Sequence, residues 1–183
     1  MEQITRQSVD QHTAFGCARV LLGPEGSGKK ALLDAFAARL QVEGFQVVSF
    51  RGWDDVRALE ETRELAAELS GRPLNHDFLD EEDVADLIYR LRSDRVALLV
   101  AADEHSREPS GTEDDSLQRR QKSLTTFLRA LTSNLLDARR ERSSRNLPIL
   151  CIALRDSSAI EETLGQSVER FEVDNVDALS EDE

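Results

Sequence analysis

Long hydrophobic runs are missing from this chain. No stretch approaches the roughly 18–20 continuous apolar residues that a membrane span needs, so a membrane partner is not expected. A basic start followed by an apolar segment is missing too. The first residues read Met-Glu-Gln-Ile-Thr-Arg, which is not a secretory signal, and the expected location is the cytoplasm. Cysteine is limited to Cys17 and Cys151. Both fall in apolar strand-like runs, where a thiol acts as a small buried hydrophobe. A disulfide is not expected in a reducing compartment, and no Cys/His spacing points to zinc. Lysine is scarce as well: only Lys29, Lys30 and Lys122 occur, and arginine supplies the other cations.

Acid is abundant. The formal net charge is −13 over 183 residues, which argues against attraction of the whole surface to nucleic acid or lipid. A local basic patch is still allowed, so nucleic acid is a possible partner without being indicated. The length fits one domain with a proper core.

Hydrophobic periodicity alternates between two kinds of element. Short, mainly apolar runs over 17–22, 46–50, 95–102 and 147–154 read as strands, and 168–173 as a fifth. Stretches with helical spacing lie between them, over 29–42, 55–70, 81–92, 117–141 and near 158–164. The apolar faces are Leu32, Leu33, Phe36, Ala37 and Leu40 in the first helix, and Val56, Leu59, Ala66 and Leu69 in the second. Val84, Leu87, Ile88 and Leu91 form the third face, and Leu124, Phe127, Leu128, Leu131 and Leu135 the fourth. The run over 95–102 is the most apolar strand in the chain, as expected of a strand covered on both faces. Residues 105–116 are polar, contain Pro and Gly, and read as a loop. The expected fold is α/β: a three-layer α/β/α sandwich around a mostly parallel five-stranded sheet. Such sheets bind ligands beyond the C-terminal ends of their strands. Residues 1–16 form an N-terminal segment, 17–178 the domain, and 179–183 an acidic tail.

The first strand-to-helix junction carries Gly23, Pro24, Glu25, Gly26, Ser27, Gly28, Lys29 and Lys30. This fits G-x-x-x-x-G-K, with Lys30 where serine or threonine usually stands. Glycines let successive backbone N–H groups turn inward around an anion. The helix start adds its positive dipole end, and Lys29 can reach the β- and γ-phosphates. The pattern predicts a phosphate-binding loop and a bound nucleoside triphosphate, expected to be ATP. A hydroxyl at position 30 would normally ligate Mg²⁺. Lysine cannot, and its charge opposes the metal while helping to neutralise phosphate. Binding is therefore expected to survive better than hydrolysis.

A second acidic motif stands at the end of the 95–102 strand. Asp103 is placed to hold Mg²⁺ through water, and Glu104 to polarise an attacking water. His105 reads as a solvent-exposed neighbour. Arg139, Arg140, Arg142 and Arg145 cluster before the fourth strand. Helix C-terminal electrostatics explains much of that cluster, and a finger into a neighbouring subunit is the functional alternative.

With strand, phosphate loop and Asp-Glu in this order, the chain resembles an ASCE-type P-loop ATPase of the AAA+ and STAND group, over about residues 17–178. The resemblance implies the sheet order 5-1-4-3-2 and a polar sensor at the end of strand four. There the sequence reads Ile149-Leu-Cys-Ile-Ala-Leu-Arg155-Asp156. This is similar to the strand and Thr-Thr-Arg-Asp segment of NB-ARC domains, in which the arginine senses the γ-phosphate. Arg155 matches that position, whereas Ala153 and Leu154 stand at the two threonines. Pairing of Arg155 with Asp156 is the structural alternative. Residues 179–183 look like the entry to the helical lid of such proteins. The expectation is a fragment of a longer chain or a lidless member, with residues 8–16 framing the base.

The function this implies is a nucleotide-dependent switch or slow ATPase, in which Lys29, Glu104 and Arg155 carry the chemistry, with a protein partner or a homo-oligomer. A non-hydrolysing nucleotide-binding module is the alternative, and a DNA-linked AAA+ helper a further one. A small-molecule kinase ranks last, because residues 105–116 are acidic.

Overall fold

The computed structural model of the chain describes residues 17–52, 55–71, 81–92, 95–101, 115–140 and 147–177. The strands are β1 (Cys17–Leu22), β2 (Gln46–Phe50), β3 (Val96–Ala101), β4 (Ile149–Leu154) and β5 (Glu172–Asn175). The helices are α1 (Lys29–Val42), α2 (Val56–Ser70), α3 (Glu81–Arg90), α4 (Asp115–Arg140) and α5 (Ser158–Leu164). The sheet has the order β2-β3-β4-β1-β5, and every pairing in it is parallel. This is the expected 5-1-4-3-2 order read from the other edge. It is the α/β/α fold of P-loop NTPases.

The layers follow from the two-residue side-chain period of a strand. Alternate residues of β4 face opposite ways, and all six are buried. On one face Cys151 and Ala153 of β4 join Leu21 of β1, Leu99 of β3 and Leu33 of α1. Leu40 of α1 closes the lower part of that face against Ala97 and Ile149. On the other face Leu150, Ile152 and Leu154 meet the apolar stripes of α2, α3, α4 and α5. The stripe of α4 (Leu124, Phe127, Leu128, Leu131, Leu135) is buried as its helical spacing requires. So is that of α3: Val84, Leu87, Ile88 and, one residue past the helix, Leu91.

Two sequence expectations are corrected. Leu69 was expected to face inward, but it is 41% exposed. The buried face of α2 is instead Ala58, Leu59, Thr62, Leu65 and Ala66. Thr62 is admitted there because its hydroxyl donates to the Ala58 carbonyl at 2.7 Å, which satisfies it locally. The fifth strand was expected over 168–173. Val168–Arg170 forms a 3₁₀ turn, and β5 begins only at Glu172. Charge explains the shift. Arg19 of β1 reaches across the edge to Glu172 at 2.8 Å and Asp174 at 3.1 Å, two acids on one side of β5. These bonds favour the register Arg19↔Glu172, with Leu21↔Asp174 two residues on. Phe171 turns into the core just before it.

One buried group invites improvement. Thr132 of α4 is fully buried, and among the described residues its hydroxyl has no hydrogen-bond partner. An unsatisfied buried hydroxyl costs free energy that a methyl of the same shape avoids. Thr132→Val is expected to raise stability by about 1 kcal/mol, read as a higher urea midpoint at unchanged slope.

Candidate phosphate-binding site

β1 leaves the sheet at Leu22, between β4 and β5, and the chain must reverse at once to lay α1 over the same sheet. Glycine makes the reversal possible. Ser27 N–H donates to the Pro24 carbonyl at 3.3 Å, which closes a turn around Gly26. Gly26 and Gly28 have φ of 79° and 85°, in the left-handed region where a side chain is strained. Gly28 is also the N-cap of α1. It offers no side chain, and the first turn contains no acid. The leading N–H groups of α1 therefore have no side-chain cap and point out of the sheet's C-terminal edge, the arrangement that receives anions.

Lys29 lies inside this turn. It is only 3% exposed. Its Nζ donates to the carbonyls of Gly23 and Pro24, both at 2.6 Å, and to Ser27 Oγ at 3.3 Å. A buried ammonium needs such partners. It is thus held beside the backbone N–H groups it would complement in binding phosphate. Glu25 is exposed on the outside of the turn.

The loop is anchored on both sides. Gly23 N–H donates to the Leu154 carbonyl of β4 at 3.3 Å, and Val176 N–H donates to the Leu22 carbonyl at 2.6 Å. Because Leu22 pairs with Leu154, Arg155 emerges next to the start of the loop. Its side chain is 59% exposed, and its Nε donates to Asp156 Oδ2 at 3.0 Å. Asp156 is itself well used: Oδ1 accepts from Ser158 Oγ at 2.5 Å and from Ala159 N–H at 3.1 Å. These bonds, that from Ser158 first and that from Arg155 next, lower its pKa to about 2.

Lys30 is exposed and lines a cleft of about 530 Å³ between α1, the ends of β2 and β3, and the start of α2. Asp34, Ser49, Arg51, Asp55 and Glu61 share its rim. None belongs to the phosphate-loop motif, and the sequence offers little to find them by; a serine inside β2 and an acid before α2 are the only hints. Asp55 caps α2, accepting from Ala58 N–H at 3.1 Å and Arg51 N–H at 2.8 Å.

The structure brings together Gly23, Pro24, Glu25, Gly26, Ser27, Gly28, Lys29 and Lys30, with Arg155 alongside. Asp103, Glu104 and His105 lie outside the described residues, as do Arg142 and Arg145, residues 1–16 and residues 179–183. Arg139 and Arg140 fall in the last turn of α4. Among the described residues, no group of three or more His, Cys, Asp or Glu is gathered to hold a metal ion. No helix among them is long and apolar enough to cross a membrane.

No protein-family model matches the sequence, and no curated protein does. Solved structures do match. A DNA replication initiation factor is 15% identical over 95% of this chain and 44% of its own, with a TM-score of 0.48. The Drosophila ORC bound to DNA is 16% identical over 98% of this chain and 47% of its own, with a TM-score of 0.45. AMPPCP-bound DnaA from Aquifex aeolicus is 15% identical over 95% and 44%, with a TM-score of 0.40. The chain spans less than half the length of these proteins. At such values the likeness says nothing of chemistry, and the fold assignment rests on the strand order and the loop.

Proposed function

We propose that this chain binds a nucleoside triphosphate, with ATP as the ligand, and acts as a nucleotide-dependent switch that hydrolyses slowly. The observation that carries the reading is Lys29, a buried ammonium held inside a glycine turn at an uncapped helix start. A phosphate group seated there would receive both this ammonium and the outward N–H groups of α1.

The residues then divide the work. The backbone of Gly23 to Lys30 wraps the phosphates, and Lys29 supplies charge to the β- and γ-groups. Arg155 lies one residue beyond β4 and reports the γ-phosphate by leaving Asp156, an exchange its exposure permits. Glu104 orients the attacking water. Asp103 is the residue proposed to hold Mg²⁺ through water; a metal there would neutralise charge developing on the transferred group. Position 30 does not fit the metal, since lysine has no lone pair to give. A protein partner or a second copy of the chain reads the nucleotide state.

A second reading, a binding module without turnover, is favoured by Lys30 alone. Titrations of ATP and ADP with phosphate release, on the chain and on Glu104→Gln and Lys30→Thr, separate the two. The switch predicts that Glu104→Gln binds but does not hydrolyse, and that Lys30→Thr turns over faster. Tight binding with no phosphate release by the parent chain supports the module. Absence of binding to either nucleotide refutes both readings.

A further inference from the structure

We infer that Lys30 replaces the divalent cation at the phosphate loop, so that the chain binds ATP as tightly without magnesium as with it. The inference rests on the nucleotide-binding reading above and concerns how that site balances charge. A triphosphate in a phosphate loop carries more negative charge than one buried lysine offsets. In the usual arrangement a hydroxyl at position 30 recruits a metal to offset the rest. Here the same position presents an ammonium, with three donors and no acceptor.

The surroundings of Lys30 favour that exchange. The side chain stands on the first turn of α1, directly after Lys29, and is exposed to the cleft rather than packed. Arg51 and Arg57 line the same cleft, so its walls carry three cations. Its acids are partly committed. Asp55 accepts two backbone N–H groups at the start of α2, and Glu61 pairs with Arg57 at 3.2 Å. Asp34 lies one turn after Lys30 on α1, the spacing at which a carboxylate and an ammonium are neighbours on a helix surface. A divalent ion entering here would face an ammonium at the position that normally ligates it. Like charges at short range in a partly desolvated cleft repel strongly.

The test compares ATP affinity of the full chain by calorimetric titration in excess magnesium chloride and in excess EDTA. The parent affinity is expected to differ by less than about threefold between the two buffers, a change well under that of one charged hydrogen bond. Lys30→Thr restores the hydroxyl and is expected to lose roughly tenfold or more in EDTA, regained with magnesium. Lys30→Met keeps the length without the charge and is expected to bind about tenfold more weakly than the parent in EDTA. The position is exposed, so melting curves without nucleotide should be unchanged. Should Lys30→Thr fail to fold, the parent in two buffers and Lys30→Met still decide. A parent that binds only with magnesium, through Asp103 for instance, overturns the inference and leaves the nucleotide-binding reading intact. So does a Lys30→Met chain equal to the parent in EDTA. A parent that binds in neither buffer overturns that reading, and the inference with it.

Discussion

Gly23→Ala is expected to cost about 3 kcal/mol of stability, near the upper end for overpacking a close contact. A Cβ on Gly23 would lie 2.2 Å from the Val176 carbonyl oxygen and 2.8 Å from Ser27 Oγ. The serine could rotate, but the carbonyl cannot easily retreat. Val176 is tied to Leu22 by its own N–H, and Gly23 is tied to Leu154 on the opposite side. Relief requires moving either the segment after β5 or the loop itself. Thermal melting should fall by roughly 10 °C for a domain of this size, and ATP affinity should fall with it because the loop shifts. A variant that melts within about 2 °C of the parent would show that the approach of the two backbones is not tight.

Lys29→Ala is expected to weaken ATP binding by roughly a hundredfold, the scale of one or two charge-assisted hydrogen bonds lost from a desolvated site. The substitution has a second effect that must be separated from the first. Lys29 Nζ serves the carbonyls of Gly23 and Pro24, and removing it leaves both without that donor, at a cost of about 1–2 kcal/mol. Melting without nucleotide reports the structural cost. The loss of ATP-induced stabilisation, measured as a shift of the melt with ligand concentration, reports the binding cost. If the variant melts lower but keeps the full ligand-induced shift, Lys29 is a strut of the turn and not a phosphate ligand.

Much of this architecture was legible in the residues themselves. Where an element is long and strongly periodic, as in α4, or apolar throughout, as in β3 and β4, burial dictates both its type and its place. The phosphate loop was legible for a different reason: glycines at 26 and 28 are required by backbone angles, and Lys29 follows them. The reading went astray where charge outweighed hydrophobicity. β5 is held by the ion pairs of Arg19, which single-strand patterning does not contain, so its start falls later than the apolar residues suggest. Leu69 fits the helical period but lies beyond the reach of the sheet near the end of α2. The cleft around Lys30 could not be foreseen either, since it depends on where α1 and the start of α2 lie against the ends of β2 and β3. For Arg155, sequence left a sensor and a partner of Asp156 side by side. The ion pair is present, and it leaves the side chain exposed one residue beyond β4.

The pairing of β1 carries a consequence for how the chain becomes functional. β1 opens the described structure, yet both its neighbours, β4 and β5, come from the far end; Arg19 and Glu172 are 153 residues apart in sequence. Contacts so distant must close a large loop before they return any stabilisation. On a ribosome, β2 and β3 can be made and covered while β1 still waits for strands not yet synthesised. The loop between β1 and α1 is then made before β4 and β5, the strands beside it, and gains its shape only after them, so its shape marks a finished fold.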